Sequence, residues 1–198
     1  MNFDRVFFIT TVTAQRIPIF RRAATARLLI DALTHYREQG KFLLHEFVIM
    51  PDHVHALITP APEISLERAM QFIKGGFSYR LKKRGSIWQA SFTNHRVRDR
   101  TEFERLRDYI RMNPVRARLA KRPEDYLYSS AAGVMVLDPV PQGLKPCSVQ
   151  HATSAALKRR FHGGTSGLAR PATGRNPQTD SQRLGSGRAS YPNPSFCR

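Results

Sequence analysis

The stretch that decides the fold is residues 41–59, with the sequence KFLLHEFVIMPDHVHALIT. It contains two apolar, strand-like runs, residues 41–50 and 53–59, separated only by Pro51 and Asp52. A link this short permits an antiparallel hairpin but no parallel crossover. The sequence therefore predicts two neighbouring antiparallel strands.

The elements before this hairpin are a strand and a helix. Residues 6–13 are rich in aromatic and β-branched side chains, which favours a strand in the middle of a sheet. Residues 23–39 place apolar side chains at helical spacing, and Gly40 follows where a helix end favours a residue tolerant of positive φ.

The elements after the hairpin are a helix, a strand and another helix. Ser65 is a suitable cap for a helix running to about Lys83, and residues 87–97 are expected to form the fourth strand and its loop. Thr101 and Glu104 match a capping box for a helix that reaches Asn113-Pro114. This order predicts an α+β, ferredoxin-like sandwich with two helices on one face of an antiparallel sheet and a further C-terminal helix.

Composition limits the domain organisation. A chain of 198 residues suffices for one ordinary domain, and near residue 130 the apolar patterns give way to Gly, Pro, Ser and Thr. We expect one folded domain over residues 1–130 and a low-complexity, basic, disordered tail over residues 131–198. Cys147 and Cys197 both fall in that tail, so the folded part has neither a disulfide framework nor a thiolate zinc cluster.

The charge balance indicates the class of partner. A formal net charge of +17 and an isoelectric point near 11.0 favour a polyanion, with nucleic acid ahead of an anionic membrane surface. The chain has no run of eighteen apolar residues and no secretory leader at its start, so we expect a soluble, cytoplasmic protein without membrane contact.

His53 and His55 form the sharpest local motif. Residues two apart on a strand point to the same face, so both imidazoles are available to one metal ion, while Val54 points into the core. Two polar residues on a solvated strand face give the same pattern, so the pair alone does not establish a metal site.

Tyr109 and Asn113 form the second motif. A four-residue spacing on a helix puts the phenol and the carboxamide on one face, a turn apart, where the first is a candidate nucleophile and the second a candidate ligand. The same residues also fit a purely structural role. Tyr109 would then be an amphipathic side chain at the edge of the core, and Asn113 would end the helix before Pro114.

Three segments together resemble the REP-associated tyrosine transposases, a family of the HUH superfamily. They are Met50-Pro51-Asp52-His53-Val54-His55, then Trp88-Gln89 with His95-Arg96-Val97-Arg98, then Tyr109-Ile110-Arg111-Met112-Asn113-Pro114-Val115-Arg116-Ala117. The resemblance runs in the correct order from about Arg5 to Ser130. It implies that His53, His55 and Asn113 bind Mg²⁺ or Mn²⁺ and that Tyr109 is the nucleophile.

The function that this resemblance implies is cleavage and rejoining of single-stranded hairpin DNA, of the REP type, through a 5′-phosphotyrosine intermediate. Basic and aromatic residues supply the expected DNA contacts: Lys74, Arg80, Lys82, Lys83, Arg84, Trp88, Arg96, Arg98, Arg111 and Arg116. For Trp88, core packing is an equal alternative, and for each basic residue so is a solvated surface. The sequence leaves open whether the protein is a monomer or a homodimer.

The sequence is also compatible with two other functions. One is a DNA-binding protein with an idle site, against which the intact set of His53, His55, Tyr109 and Asn113 argues. The other keeps the enzyme class but changes the role, to a mobile insertion-sequence transposase or a replication or conjugation nickase. Flanking short palindromic repeats in the genome would separate these roles.

Overall fold

The core of the protein is a four-stranded antiparallel sheet, seen in a computed structural model that describes residues 5–82 and 85–140. Its strands are β1 (Phe7–Val12), β2 (Phe42–Ile49), β3 (His53–Pro60) and β4 (Thr93–Arg96). The strand order is β2-β3-β1-β4, so the predicted hairpin and the interior position of β1 are both confirmed.

Three helices cover the sheet: α1 (Ala23–Glu38), α2 (Leu66–Leu81) and α3 (Arg100–Arg116). Short 3-10 turns lie at Ala14–Arg16, Ile19–Arg21, Pro123–Asp125 and Ser130–Ala132. None of the helices in the described ranges is long and apolar enough to cross a membrane.

The two faces of the sheet bury two separate apolar clusters. Helices α1 and α2 pack on one face, where Leu29 and Phe77 meet Ile9 and Val54. Helix α3 packs on the other face, around residues such as Leu57, Phe103 and Ile110. Because side chains alternate along a strand, Val54 enters the first cluster and His55 is turned towards α3. The α+β class with two helices on one face is confirmed.

Local sequence patterns predicted some of the element boundaries correctly and others not. Gly40 follows α1 at φ +65°, and Ser65 caps α2 by accepting a hydrogen bond from the Arg68 N–H, as expected. The capping box at Thr101 was wrong, because the extended backbone of Asp99 places its carboxylate to accept from the Glu102 N–H at 2.8 Å. The fourth strand is shorter than expected, since only residues 93–96 pair with β1.

A segment beyond α3 covers the outer edge of β2. The N–H groups of Leu44, Phe47 and Ile49 donate to Asp138 Oδ2 at 2.7 Å, to Ser130 Oγ at 3.0 Å and to the Tyr128 carbonyl at 2.8 Å. The packed chain thus continues past residue 130 to at least Asp138. The boundary expected near residue 130 stays a prediction, and tail residues 141–198 lie outside the described residues.

Candidate active site

His53 and His55 share the face of β3 that is turned towards α3, and their ring centroids lie 4.8 Å apart. The ring of Tyr109, on α3, meets that of His55 edge to face at 5.5 Å. The structure therefore brings the predicted nucleophile and the predicted histidine ligands together within one chain.

The orientation of His55 is fixed by its neighbours on β1. Thr10 pairs with His55 across the sheet, and its Oγ1 shares a 2.7 Å hydrogen bond with His55 Nδ1. Phe8 stacks on the imidazole at 5.4 Å with an interplanar angle of 17°. With Nδ1 occupied, Nε2 is the nitrogen available to a ligand.

The orientation of His53 is fixed by the residue before it. Nδ1 of His53 donates to Asp52 Oδ1 at 2.6 Å, and Arg16 Nη1 donates to Asp52 Oδ2 at 3.0 Å. The bond from His53 is the largest effect on the Asp52 carboxyl, and with Arg16 it holds the pKa below the usual value despite burial. Asp52 is thus ionised at neutral pH and leaves Nε2 of His53 for a ligand.

Burial and the neighbouring His53 lower the pKa of His55 to about 3. A neutral imidazole is the form that binds metal ions. A hydrogen bond at Nδ1 fixes the ring so that Nε2 faces the ion. His55 meets both requirements, and Asp52 occupies Nδ1 of His53 in the same way, so both rings present Nε2 to a shared divalent ion.

Tyr109 is held at the edge of the α3 core. Ile110 is fully buried on the adjoining stripe, and Phe8 touches the Tyr109 ring edge-on at 6.0 Å. The guanidinium of Arg116 lies over the same ring at 5.5 Å. A cation at this position is available to a phosphate group beside the ring.

Asn113 lies one turn after Tyr109 on α3 and is partly exposed. Within residues 5–82 and 85–140, no group of three or more His, Cys, Asp or Glu side chains is placed to hold a metal ion. Any ion at the histidine pair would therefore depend on neutral donors, such as the Asn113 carboxamide, and on substrate phosphate oxygens.

Lys74 and Trp88 are expected to bind DNA, and both make contacts within the fold. The Lys74 ammonium donates to the Gln89 carbonyl at 2.8 Å, and burial lowers its pKa. The Trp88 ring is only 7% exposed and packs between Phe20 and Phe77, with Nε1 donating to the Lys74 carbonyl. Trp88 thus takes the core role that the sequence left open.

The other predicted DNA contacts are spread over several elements. Arg111 bonds Glu46, and Arg80 donates to the Gly76 carbonyl. Exposed residues include Lys82 after α2, Arg96 and Arg98 on and after β4, and Arg116 on α3. Lys83 and Arg84 lie outside the described residues. Among these residues, Arg116 contacts the Tyr109 ring through its guanidinium.

Sequence reasoning missed the residues that support the site. The sequence patterns place Asp52 in a turn and Thr10 in a strand and assign neither residue a role at the site. The position of Asp52 directly before His53 is a signal in the sequence for a carboxylate that orients a histidine ligand. The position of Thr10 depends on strand register and has no such signal. Glu46 was missed too, although a charged residue inside the apolar run of β2 is unusual.

The fold combines an antiparallel sheet, a strand with a His-x-His motif and a tyrosine-bearing helix packed on that strand. This combination defines the class of single-tyrosine HUH proteins. The family model described as "Transposase IS200 like" matches residues 5–113. The chain belongs to this family of transposases.

The relatives of the chain have consistent descriptions. It is 26% identical over 105 residues to a REP-associated tyrosine transposase of Escherichia coli strain K12, covering 52% of this chain and 63% of that protein. It is 25% identical over 146 residues to a putative REP-associated tyrosine transposase of Haemophilus influenzae, covering 63% and 78% of the two chains. The match thus spans less than two thirds of the E. coli protein.

A solved structure supports the fold independently. A REP-associated tyrosine transposase bound to a REP hairpin superimposes with a TM-score of 0.57 at 23% identity. The match covers 70% of this chain and 86% of the solved chain.

Proposed function

We propose that this chain is a metal-dependent single-stranded DNA endonuclease and strand transferase that cleaves and rejoins hairpin DNA of the REP type. The observation that carries the proposal is the contact of the Tyr109 ring with His55, at 5.5 Å within one chain. The helical tyrosine and the His-x-His pair come from distant parts of the sequence, and α3 packing brings them to one face.

The reaction follows from these groups. The Tyr109 phenol loses its proton, its oxygen forms a bond to a backbone phosphorus, and the bond from phosphorus to the 3′ oxygen breaks. The products are a 5′-phosphotyrosine and a free 3′-hydroxyl, so the energy of the ester is kept for rejoining. An ion such as Mg²⁺ or Mn²⁺, held by His53, His55 and Asn113, would offset the charge developing on phosphate oxygens.

Arg116 supports the covalent step by its position over the nucleophile's ring. A free phenol has a pKa of about 10, so its attack at neutral pH depends on charge neutralisation at the phosphate. The guanidinium lies 5.5 Å from the ring centroid, where it would offset the charge of a phosphate attached to Tyr109.

The proposed substrate is a single strand that forms a hairpin. The net charge of +17 favours a phosphate backbone, and a solved relative of the same fold is bound to a REP hairpin. Because Tyr109 contacts His55 of its own chain, the proposal takes the nucleophile and the histidine pair from one monomer.

The test is Tyr109→Phe, with Tyr79→Phe as the matched control, because Tyr79 is 84% exposed on α2. Labelled hairpin oligonucleotides are incubated with each protein and Mn²⁺, and denaturing gels are scored for a covalent protein–DNA band. We expect the band with wild type and Tyr79→Phe, and none with Tyr109→Phe, which should still bind the hairpin. A band from Tyr109→Phe would refute the nucleophile, and binding without a band from wild type would favour an idle DNA-binding protein.

A further inference from the structure

His95 lies on the face of the sheet that is turned towards α3, although the proposed chemistry makes no use of it. It stands directly opposite Phe8 in the register of β1 and β4, and residues paired in this way share a face. The Phe8 ring stacks on His55 at 5.4 Å and meets the Tyr109 ring at 6.0 Å. His95 is thus next, along the sheet, to the side chain that contacts both the nucleophile and a predicted histidine ligand.

Glu102 connects His95 to the first turn of α3. Its Oε1 accepts a hydrogen bond from Nε2 of His95 at 2.8 Å, and its Oε2 accepts one from the Arg98 N–H at 2.8 Å. The Glu102 side chain is only 13% exposed. Hydrogen bonds to a carboxylate are strong, and partial burial protects this pair from the screening that weakens surface ion pairs. The carboxylate therefore ties α3 to β4 and to the chain that follows β4.

The position of Glu102 on α3 links it to the nucleophile. Glu102 precedes Tyr109 by seven residues on one continuous helix, which is about two turns, so the two side chains leave the same side of α3. Their Cα atoms are separated by about 10 Å along the axis at the usual rise per residue. A rotation of the first turn of α3 would therefore displace the Tyr109 ring.

Arg111 provides a second anchor for α3, at the opposite end of one row of side chains. From edge to edge of the four-stranded sheet, the paired residues of this row are His95, Phe8, Leu57 and Glu46. Arg111 bonds Glu46 at 2.9 Å, and it follows Glu102 by nine residues, so the two anchors lie on opposite flanks of the helix. Apolar burial is non-directional, whereas hydrogen bonds on both flanks fix the rotation of a helix about its axis.

We propose that Glu102 is a positioning residue, which holds α3 through His95 and the Arg98 N–H at the rotation that places the Tyr109 ring against His55. The inference rests on the proposed function, because it concerns the rate at which Tyr109 attacks. Glu102 acts on the placement of the phenol and not on the affinity for DNA or for an ion. A misplacement of a reacting group by about 1 Å can lower a rate about 100-fold, so a small rotation of α3 is sufficient for a large effect.

The test compares Glu102→Ala and Glu102→Gln with Glu104→Gln, an equal loss of charge on the same helix at a side chain that is 46% exposed. The Glu102 N–H that donates to Asp99 and caps α3 belongs to the backbone, so the cap is kept in every variant. Single-turnover formation of the covalent protein–DNA band is measured over a range of hairpin and Mn²⁺ concentrations. Thermal melting verifies folding, and the milder Glu102→Gln allows the test even if Glu102→Ala is unstable.

We expect Glu102→Ala to lower the maximal rate about 30- to 100-fold, and Glu102→Gln about 5- to 10-fold, since the amide keeps one acceptor. The hairpin and Mn²⁺ concentrations for half-maximal rate should remain those of wild type, as should the rate of Glu104→Gln. A wild-type maximal rate for both Glu102 variants would overturn the positioning role. So would a loss that higher hairpin or Mn²⁺ concentrations restore.

His95 allows a rescue by a conservative variant. His95→Gln keeps an N–H donor close to the position of Nε2 and should retain most of the rate, whereas His95→Leu should be slow. Because both residues act through one bond, His95→Leu combined with Glu102→Ala should be no slower than Glu102→Ala alone. Losses that multiply in the double variant would show that the two residues act separately, contrary to the proposal.

A measurement on the protein without DNA or metal separates this inference from the proposed reaction. The edge-to-face contact with Tyr109 shifts the ring-proton NMR signals of His55, and Tyr109→Leu gives their positions without that ring. The signals are identified by their loss in His55→Ala. Glu102→Ala should move them towards the Tyr109→Leu positions, and Glu104→Gln should not.

The two assays fail in different ways. If wild type forms no covalent band, the proposed function is wrong, but the shift of the His55 signals in Glu102→Ala still shows that Glu102 places the Tyr109 ring. If wild type reacts and the His55 signals of Glu102→Ala equal those of wild type, the positioning role is wrong and the proposed function stands.

Discussion

Nε of Arg111 on α3 donates a 2.9 Å hydrogen bond to Oε2 of Glu46, a side chain that is fully buried on β2. The Ser130 hydroxyl is also bonded to Glu46. A buried carboxylate is costly unless it is paired, so this contact ties the helix that carries Tyr109 and Asn113 to the sheet that carries the histidines. Arg111 thus positions α3, besides any contact it makes with DNA.

Arg111→Gln is expected to lower the free energy of unfolding by about 2 kcal/mol at pH 8, because Glu46 stays buried without its cation. Burial already raises the pKa of Glu46 against the opposing effects of Ser130 and Arg111. A raised folded pKa means that stability is greatest below the unfolded value and is lost as pH rises through the folded value. The decrease in the free energy of unfolding caused by Arg111→Gln should therefore be smaller at pH 5 than at pH 8.

Urea unfolding at both pH values measures this effect, with Arg105→Gln as the control. The Arg105 side chain is 67% exposed on α3 and meets Glu102 only at 3.8 Å, so its removal should change stability by less than about 0.5 kcal/mol. A larger loss for Arg111→Gln at pH 5 than at pH 8 would contradict the account of Glu46.

His53→Ala and His55→Ala are each expected to abolish cleavage while salt-sensitive hairpin binding remains, because affinity comes mainly from distributed cations. Asn113→Ala should be milder and partly rescued by raised Mn²⁺, since water can replace a neutral oxygen ligand. The covalent band is compared in EDTA, Mg²⁺ and Mn²⁺, with the exposed His35→Ala as control. A band of wild-type intensity in EDTA would exclude metal assistance.

Thr10→Val and Asp52→Asn should raise the divalent ion concentration needed for half-maximal cleavage by about 10- to 100-fold, because each removes the partner that orients a histidine. At saturating ion, the rate should return most of the way to wild type. Thr34→Val is the matched control, since the Thr34 hydroxyl bonds only the Ile30 carbonyl within α1. A reduced maximal rate with an unchanged ion requirement would mean that these residues act elsewhere.

Truncation after Val140 should leave a folded, cleavage-competent domain with weaker DNA affinity, because the removed residues are rich in arginine. Truncation after Leu127 should destabilise the fold, since it exposes the β2 edge and leaves Glu46 without Ser130. Melting temperature and hairpin binding of the two proteins test this pair. Equal stability of both truncations would show that the segment after α3 does not hold β2.

Asp138→Asn should lower stability at pH 7 by about 1 kcal/mol, because the carboxylate accepts from Arg37 Nε at 2.8 Å and from the Leu44 N–H. Burial raises the pKa of Asp138, but these bonds outweigh it and the net shift is downward. The contribution is then fully present above the ordinary aspartate pKa of 3.8 and is lost as pH falls through the lower pKa of the folded state. The difference in melting temperature from wild type should shrink below about pH 4. A difference that stays constant down to pH 3 would contradict this pairing.

The sequence by itself determined the features that depend on local chemistry. The two-residue link at Pro51-Asp52 permits only a hairpin, period-two alternation sends His53 and His55 to one face, and Gly40 ends α1 because it tolerates positive φ. Helical spacing likewise placed Tyr109 and Asn113 a turn apart. These features need no information from distant parts of the chain.

Tertiary structure decided which residues share an environment. The irregular pairing between Leu44 and Glu46 places the Glu46 carboxylate under α3. Strand register places Thr10 opposite His55. Side-chain periodicity predicts neither position, because a bulge shifts the alternation and register depends on the partner strand. Packing also buried Trp88, which looked suited to stacking on bases. Contacts between distant segments depend on register and helix docking, and the sequence near each residue does not encode them.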